Sequence, residues 1–156
     1  MTTASGQLAP STGLTGTPVI EFDNVCRYFG TDPVVKAVDG VSFDVREGES
    51  VAIVGSSGSG KSTLMNVIGL LDRPTSGDYR LEGVDVSTLS ERERAATRGS
   101  RIGFVFQSFH LLAHRSVIDN VMLAEVYQRT DRKHRRRRAE AALEQVGLSH
   151  LSLIHI

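Results

Sequence analysis

Apolar and polar positions alternate over the first part of the chain, and that period of two predicts strands packed on one face. Ile20 and Phe22 alternate with Glu21 and Asp23, Asn24 interrupts, and Val25, Cys26, Tyr28 and Phe29 resume the apolar content. Residues 19–29 therefore predict a strand with an irregular middle. Residues 34–38 and 41–45 predict two more short strands, joined through Asp39-Gly40, a hairpin signal. Glu47-Gly48-Glu49 is a second turn, and Val51-Ala52-Ile53-Val54 is a β-branched run that predicts another strand.

Beyond that run the period lengthens. Residues 64–71 predict a helix that ends at the breaker-rich segment 72–77, followed by a strand over 78–81 turning at Glu82-Gly83. Ser90 with Glu93 three residues later is a capping box, opening a short polar helix that ends near Arg98-Gly99. Residues 101–107 predict an apolar strand closing on the amide of Gln107. Helices are expected over 119–128 and 134–146, the second stopped by Gly147. Residues 1–18, rich in Thr, Ser, Gly and Pro without periodicity, predict a disordered tail.

Composition narrows the class. The chain has 156 residues, 40 % hydrophobic and 23 % charged, enough for one soluble domain with a sizeable core. Formal net charge is zero, so no global field favours nucleic acid or an acidic membrane surface. The single cysteine, Cys26, has no internal disulfide partner and reads as a small buried strand residue of a reducing compartment. No apolar run is long enough to span a bilayer, and the N-terminus lacks the basic and apolar regions of a secretory signal. The expectation is a cytosolic chain.

The chemistry concentrates in Gly55-Ser56-Ser57-Gly58-Ser59-Gly60-Lys61-Ser62-Thr63, between the predicted strand at 51–54 and the helix that follows. Strand, glycine-rich loop, Lys-Ser and helix together make a phosphate-binding loop. Gly55, Gly58 and Gly60 let the backbone curl and bring its N–H groups to phosphate oxygens with no Cβ in the way. The positive end of the helix points at the same oxygens. Lys61 aims a full charge at the β- and γ-phosphates, and the Ser62 hydroxyl is placed to ligate Mg²⁺. The bland alternative is a glycine-serine linker that contains a lysine.

Other candidates are weaker. Arg132, Lys133 and the run Arg135–Arg138 have no interleaved aromatics and open a predicted helix, so a solvated helix face fits them better than a nucleic-acid surface. His110 and His114 lie four apart without a Cys, Asp or Glu to complete a metal site, and His134 adds none. No metal beyond Mg²⁺ is expected. Glu91, Arg92, Glu93, Arg94 and Arg98 read as charges that solubilise a surface helix.

Several separated signals now agree. Tyr28 in the first strand, Gly48-Glu49 before the loop strand, the loop itself and Phe104-Val105-Phe106-Gln107 together resemble the ATP-binding subunit of an ABC transporter. The block 101–107 with Asp119-Asn120-Val121 is most similar to the macrolide-exporter and lipoprotein-release branch. The resemblance runs from about residue 19 to 150 and matches the N-terminal half of the domain. It implies an α/β P-loop NTPase fold, an ABC-type nucleotide-binding domain with an antiparallel β subdomain, C-terminally truncated. Its parts would be a β subdomain plus the front of the nucleotide-binding core over 19–107, and the start of a helical subdomain over 108–150.

The resemblance also implies roles. Tyr28 would stack on adenine, although an aromatic on a strand is often simply core. Residues 55–63 would hold the ATP phosphates, with Thr63 supporting the α-phosphate. Gln107 would reach Mg²⁺ and the attacking water and would sense the membrane subunit. Taken alone, Gln107 could equally be a solvent-exposed amide at a strand end. ATP and Mg²⁺ are the implied cofactors. The implied partners are a second nucleotide-binding domain and a separate integral membrane permease, with the protein peripheral at the inner face of the cell membrane. The alternatives are a small P-loop metabolite kinase and a non-catalytic nucleotide-binding remnant. Against the kinase, its loop would open the chain, and it would lack the Phe-Gln strand end.

Hydrolysis in such a family needs parts not found here. The sequence contains no apolar strand ending in Asp-Glu, no Leu-Ser-Gly-Gly-Gln and no switch histidine, His155 being in no comparable context. Residues 151–156, Leu-Ser-Leu-Ile-His-Ile, read as the in-frame translation of CTG TCT CTT ATA CAC ATC, which resembles a transposase adapter from a sequencing library. The expectation is a non-native tail, with the natural protein continuing beyond about His150. Resequencing the locus is the check. Genomic DNA that departs from this string after His150 is expected, whereas a genomic read encoding all six residues and a stop rules the idea out.

Overall fold

The computed structural model describes residues 16–108, 110–127, 131–152 and 154, without the Tyr127 side chain. It divides into two compact units, Met1–Arg98 and Gly99–Ile156. In the first, β1 (Pro18–Phe29), β2 (Val35–Arg46), β3 (Ser76–Leu81) and β4 (Val84–Asp85) form one antiparallel sheet in the order β2-β1-β3-β4. α1 (Lys61–Ile68) lies between β2 and β3 in the chain, and α2 (Glu91–Arg101) follows β4. Phe22 sits at the centre of the sheet, opposite Phe43 on one side and Tyr79 on the other. Its ring centroid is 4.8 Å from that of Phe43 and 4.5 Å from that of Tyr79. Such aromatic pairs add about 0.5–1.5 kcal/mol each beyond the area they bury.

The irregular middle expected in the first strand is a backbone fact, since Asn24 takes φ 49° and the pairing shifts between Phe22 and Val25. The two short strands expected after it are one. β2 runs straight through Asp39-Gly40, where a hairpin was the expectation. Both halves pair with β1, so folding them on each other would forfeit a complete ladder. The positive φ of Gly40, 67°, serves a bulge instead: Val41 opposes Val25 and Val38 opposes Arg27, three steps of β2 against two of β1. The tail expected over 1–18 lies outside the described residues up to residue 15. Pro18 already opens β1, and the carbonyl of Gly16 accepts from Arg46 Nη1 at 3.0 Å.

Two predicted strands are absent. Residues 51–54 and 102–106 form no ladder, and Val54 is 87 % exposed while Val105 is fully exposed. An apolar β-branched strand needs at least one neighbour to supply its ladder bonds and cover for its faces. No described segment pairs with either run.

The capping box forms as expected. Ser90 N donates to Glu93 Oε2 at 2.8 Å, and Glu93 N donates to Ser90 Oγ at 3.3 Å. The helix then passes through Gly99 to Arg101 and does not stop at Arg98. Nor is its charged face simply solvated. Arg94 is 2 % exposed and donates from Nη2 to the carbonyls of Leu70 at 3.1 Å and Asp72 at 2.8 Å. Arg98 Nη1 donates to the same Leu70 carbonyl at 2.8 Å, and the buried Tyr79 hydroxyl donates to Ile68 O at 2.7 Å. A helix end leaves its last carbonyls without partners. Three side chains from β3 and α2 therefore clamp the C-terminal end of α1 and the turn behind it.

In the second unit, α3 (Val117–Tyr127) packs on α4 (Arg135–Gln145) through Ile118, Ala139 and Leu143. The helix expected at 119–128 starts two residues earlier, because Ser116 and Asp119 form a second capping pair: Asp119 N donates to Ser116 Oγ at 3.2 Å. The helix expected at 134–146 ends on Gly147 in the left-handed region, φ 74°. The arginine run is only partly a solvated face. Arg138 donates to both carboxylate oxygens of Glu125, at 2.9 and 2.6 Å, and so ties α4 to α3. Arg136 pairs with Glu140 one turn on, at 3.0 Å. The carbonyls of Ile154 and Ser152, in the segment expected to be non-native, accept from Val117 N and Ile118 N at 3.0 Å each.

The clamp on α1 makes a direct prediction. Arg94→Ala removes the Arg94 donor from the Asp72 carbonyl, leaves Leu70 with Arg98 alone, and is expected to lower unfolding stability by about 2 kcal/mol. Arg92→Ala, on the exposed side of the same helix, is expected to stay within about 0.5 kcal/mol. Urea unfolding of the two variants decides it, and equal midpoints would refute the clamp.

Candidate functional site

The loop expected to bind phosphate leads directly into α1, and its shape is set by one close approach. Gly60 caps the helix with φ 88° and ψ 3°. A Cβ at Gly60 would stand 1.9 Å from the Ala37 carbonyl oxygen of β2, so only glycine satisfies both the torsion and the space. That carbonyl is presented by a second irregularity in β2. Tyr28 opposes Lys36 while Arg27 opposes Val38, leaving Ala37 the extra residue. Behind the cap, Ser59 N donates to Ser56 O at 3.3 Å and closes a tight turn.

Lys61 folds over this turn. Its Nζ donates to Gly55 O at 2.9 Å, Ser56 O at 2.6 Å and more weakly to Ser59 Oγ at 3.5 Å. The ammonium is thus held by loop oxygens at the mouth of α1. The first-turn amides of Lys61, Ser62 and Thr63 have no acceptor inside the helix. No side chain caps them, and no acidic residue lies in the first turn. The Ser62 hydroxyl is exposed and Thr63 is half-buried. Free N–H groups, the positive helix end and a lysine converge on one spot, the chemistry of an anion site. The residues fit a phosphate chain: open backbone donors, one cation, and a hydroxyl oxygen of the type a hard divalent ion accepts.

Tyr28 belongs to the same unit. It forms a rung with Lys36, next to the residue that meets Gly60. Its N–H donates to Thr75 Oγ1 at 2.9 Å, and its hydroxyl donates to Asp39 Oδ1. Lys36 Nζ donates to Asp39 Oδ2 at 3.2 Å and lies 5.2 Å from the Tyr28 ring centroid. The hydrogen bond to Asp39 holds the phenol well above its ordinary ionisation range, and the same bond, with Lys36 behind it, holds the Asp39 carboxyl below its own. Cys26 is buried, as expected, and its sulfur accepts from Gly40 N at 3.1 Å.

Gln107 lies in the second unit, exposed, at a bend after the unpaired run 102–106. In that run the Phe104 and Phe106 rings stack at 5.4 Å with planes 2° apart. Tyr28 and residues 55–63 are therefore gathered in one unit and Gln107 in the other. Ala37, Lys36 and Asp39 escape sequence reasoning, since Asp39-Gly40 carries a hairpin signal and Ala37 carries none.

With this geometry established, comparison with known proteins is informative. Residues 38–156 match the family model described as ABC transporter. The macrolide export ATP-binding/permease protein MacB of Sodalis glossinidius is 46 % identical over 134 residues, 85 % of this chain and 20 % of that protein. MacB of Escherichia coli K12 is 47 % identical over 133 residues, again 85 % of the chain and 20 % of the relative. The chain thus spans about a fifth of the length of these relatives.

Solved structures agree. A dimeric post-hydrolysis state of the ATP-binding cassette MJ0796, bound to ADP and Pi, superposes with a TM-score of 0.78 at 32 % identity, covering 87 % of this chain and 61 % of that one. The cbiO1 protein of Clostridium perfringens, part of the ABC transporter complex cbiONQ, gives 0.72 at 26 % identity, covering 88 % and 54 %. The fold is that of the P-loop NTPase cassette, and these relatives are transporter components, not metabolite kinases. A left-handed Gly60 seated on β2, a lysine over the loop and an open helix end thus occur in a chain that belongs to the ABC transporter family.

Proposed function

We propose that this chain binds ATP at residues 55–63 and is the front part of a cassette that, when complete, hydrolyses ATP to drive export or release of a substrate through a membrane permease. One observation carries the reading: Gly60 locks the loop against β2 and opens α1 with the amides of Lys61, Ser62 and Thr63 uncapped, while the Lys61 ammonium is held on the loop carbonyls beside them. Gly55, Ser56, Ser57, Gly58, Ser59 and Gly60 wrap the β- and γ-phosphates, Lys61 moves from the loop carbonyls to phosphate oxygens, and Thr63 supports the α-phosphate. Tyr28 is the platform for adenine. A stacked base on an aromatic ring gains roughly 1–3 kcal/mol.

Ser62 offers Mg²⁺ a hydroxyl oxygen of the kind a hard ion prefers, and for Gln107 the Mg²⁺ role rests on the family pattern alone. When bound, the ion neutralises charge on the β- and γ-phosphate oxygens. Gln107 also orients water and reports to the permease. The names of the relatives support export of macrolides or similar cargo. The MJ0796 dimer supports pairing of two cassettes, and the cbiONQ complex supports work with membrane subunits. Among the described residues no helix is long and apolar enough to cross a membrane. The placement that follows is at the inner membrane face, held by the permease.

Calorimetric titration of the chain with ATP and Mg²⁺ is the test. Binding is expected in the parent and weakened about tenfold or more by Lys61→Ala, which removes a charge-assisted contact. Binding indifferent to Lys61 would end the proposal. With no Asp-Glu strand end and no Leu-Ser-Gly-Gly-Gln in its sequence, the chain is expected to show no phosphate release above background. Magnesium-dependent turnover that Lys61→Ala abolishes would contradict that second expectation.

A further inference from the structure

We propose that Asp39 is a positioning residue for base recognition: its carboxylate fixes the Tyr28 ring at the distance from the phosphate loop that β2 sets. The inference rests on the reading of Tyr28 and residues 55–63 as a nucleotide site. It goes beyond that reading by assigning a residue that touches neither base nor phosphate.

The argument begins with register. Lys36 and Asp39 are three apart on a strand, and strict alternation would point them to opposite faces. The extra residues of β2, at Ala37 and at Asp39-Gly40, cancel that alternation. Both side chains then reach Tyr28: Asp39 accepts a hydrogen bond from the hydroxyl, and Lys36 lies over the ring while donating to the second oxygen of Asp39 at 3.2 Å. Gly40 keeps the bulge closed by donating to Cys26 Sγ. The same stretch carries Ala37, whose carbonyl seats Gly60. Residues 36–40 therefore fix two things at once, the tilt of the ring and the place where the phosphate loop passes into α1.

The chemistry explains why these types stand here. A half-exposed tyrosine near the end of a strand otherwise rotates about two torsions, and a bond at the para position removes most of that freedom before a ligand arrives. An unpaired carboxylate close to a polyphosphate would repel it, and Lys36 offsets that charge. The raised ionisation range of Tyr28 fits a hydroxyl that is a committed donor.

Titrations with ATP and with inorganic tripolyphosphate, each with Mg²⁺, separate the outcomes. Asp39→Ala is expected to weaken ATP about fivefold and leave tripolyphosphate unchanged, because only the base meets the ring. Asp39→Asn keeps an oxygen for the hydroxyl and is expected to restore most of the ATP affinity. Tyr28→Phe should match Asp39→Ala, and the double variant should be no weaker than either single one. Absorbance of tyrosinate between about pH 9 and 11 should rise in Asp39→Ala relative to the parent and not in Asp39→Ala with Tyr28→Phe. Equal losses for ATP and tripolyphosphate, or additive losses in the double variant, would overturn the positioning role. So would ATP affinity unchanged by Asp39→Ala in a protein whose binding still depends on Lys61. Loss of the Lys61 dependence itself would instead sink the nucleotide reading beneath it.

Discussion

The contact between Gly60 and the Ala37 carbonyl is the constraint on which the rest of the site depends. Any side chain at position 60 would collide with backbone that yields little, because the residues flanking Ala37, Lys36 and Val38, are both paired with β1. The torsion at Gly60 turns the chain from a curled loop into a helix within one residue, and so leaves the first-turn amides aimed outward. The opposite end of α1 must then be fixed, or the contact would act as a pivot. Tyr79, Arg94 and Arg98 fix it by satisfying carbonyls at Ile68, Leu70 and Asp72. The helix is held at both ends, by sterics at one and hydrogen bonds at the other.

Much of this was legible before any coordinates. The glycine spacing and Lys61-Ser62 identify the loop because its backbone chemistry tolerates few substitutes. Asn24 as an interruption, Ser90 with Glu93 as a cap and Gly147 as a stop are local devices, and local devices survive in any tertiary setting. What was illegible depended on partners distant in sequence. Asp39-Gly40 carries the signal of a hairpin, yet the same dihedral preference serves a bulge when a long neighbour such as β1 is available. Arg94 looks like its charged neighbours until the carbonyls of another helix end are brought to it. Ala37 has no chemistry of its own and matters for where its carbonyl stands.

The two missing strands teach the complementary lesson. Residues 51–54 and 102–106 have the composition of buried strands and were expected to be strands, but composition records only a preference. Preference is not sufficient, because a strand is stabilised by ladder bonds and by cover on both faces. The antiparallel sheet is complete within residues 18–85 and forms. The apolar runs find no partner among the described residues and remain exposed. Exposed β-branched and aromatic stretches with free backbone are templates for pairing with other chains.

That contrast bears on how the site holds its shape. The phosphate loop enters from an unpaired segment and leaves into a helix clamped at its far end, so order reaches it from the helix side and from β2. Its geometry is owed to Gly60, Ala37 and the clamp, with residues 51–54 contributing direction but no ladder. A loop held in this way can keep its backbone donors in place, which is a condition for binding phosphate. Turnover asks for more, since water and a base must be held as closely as the phosphates are. Binding and hydrolysis therefore rest on different structural debts, and the contacts of Gly60, Ala37 and the clamp are of the kind the first requires.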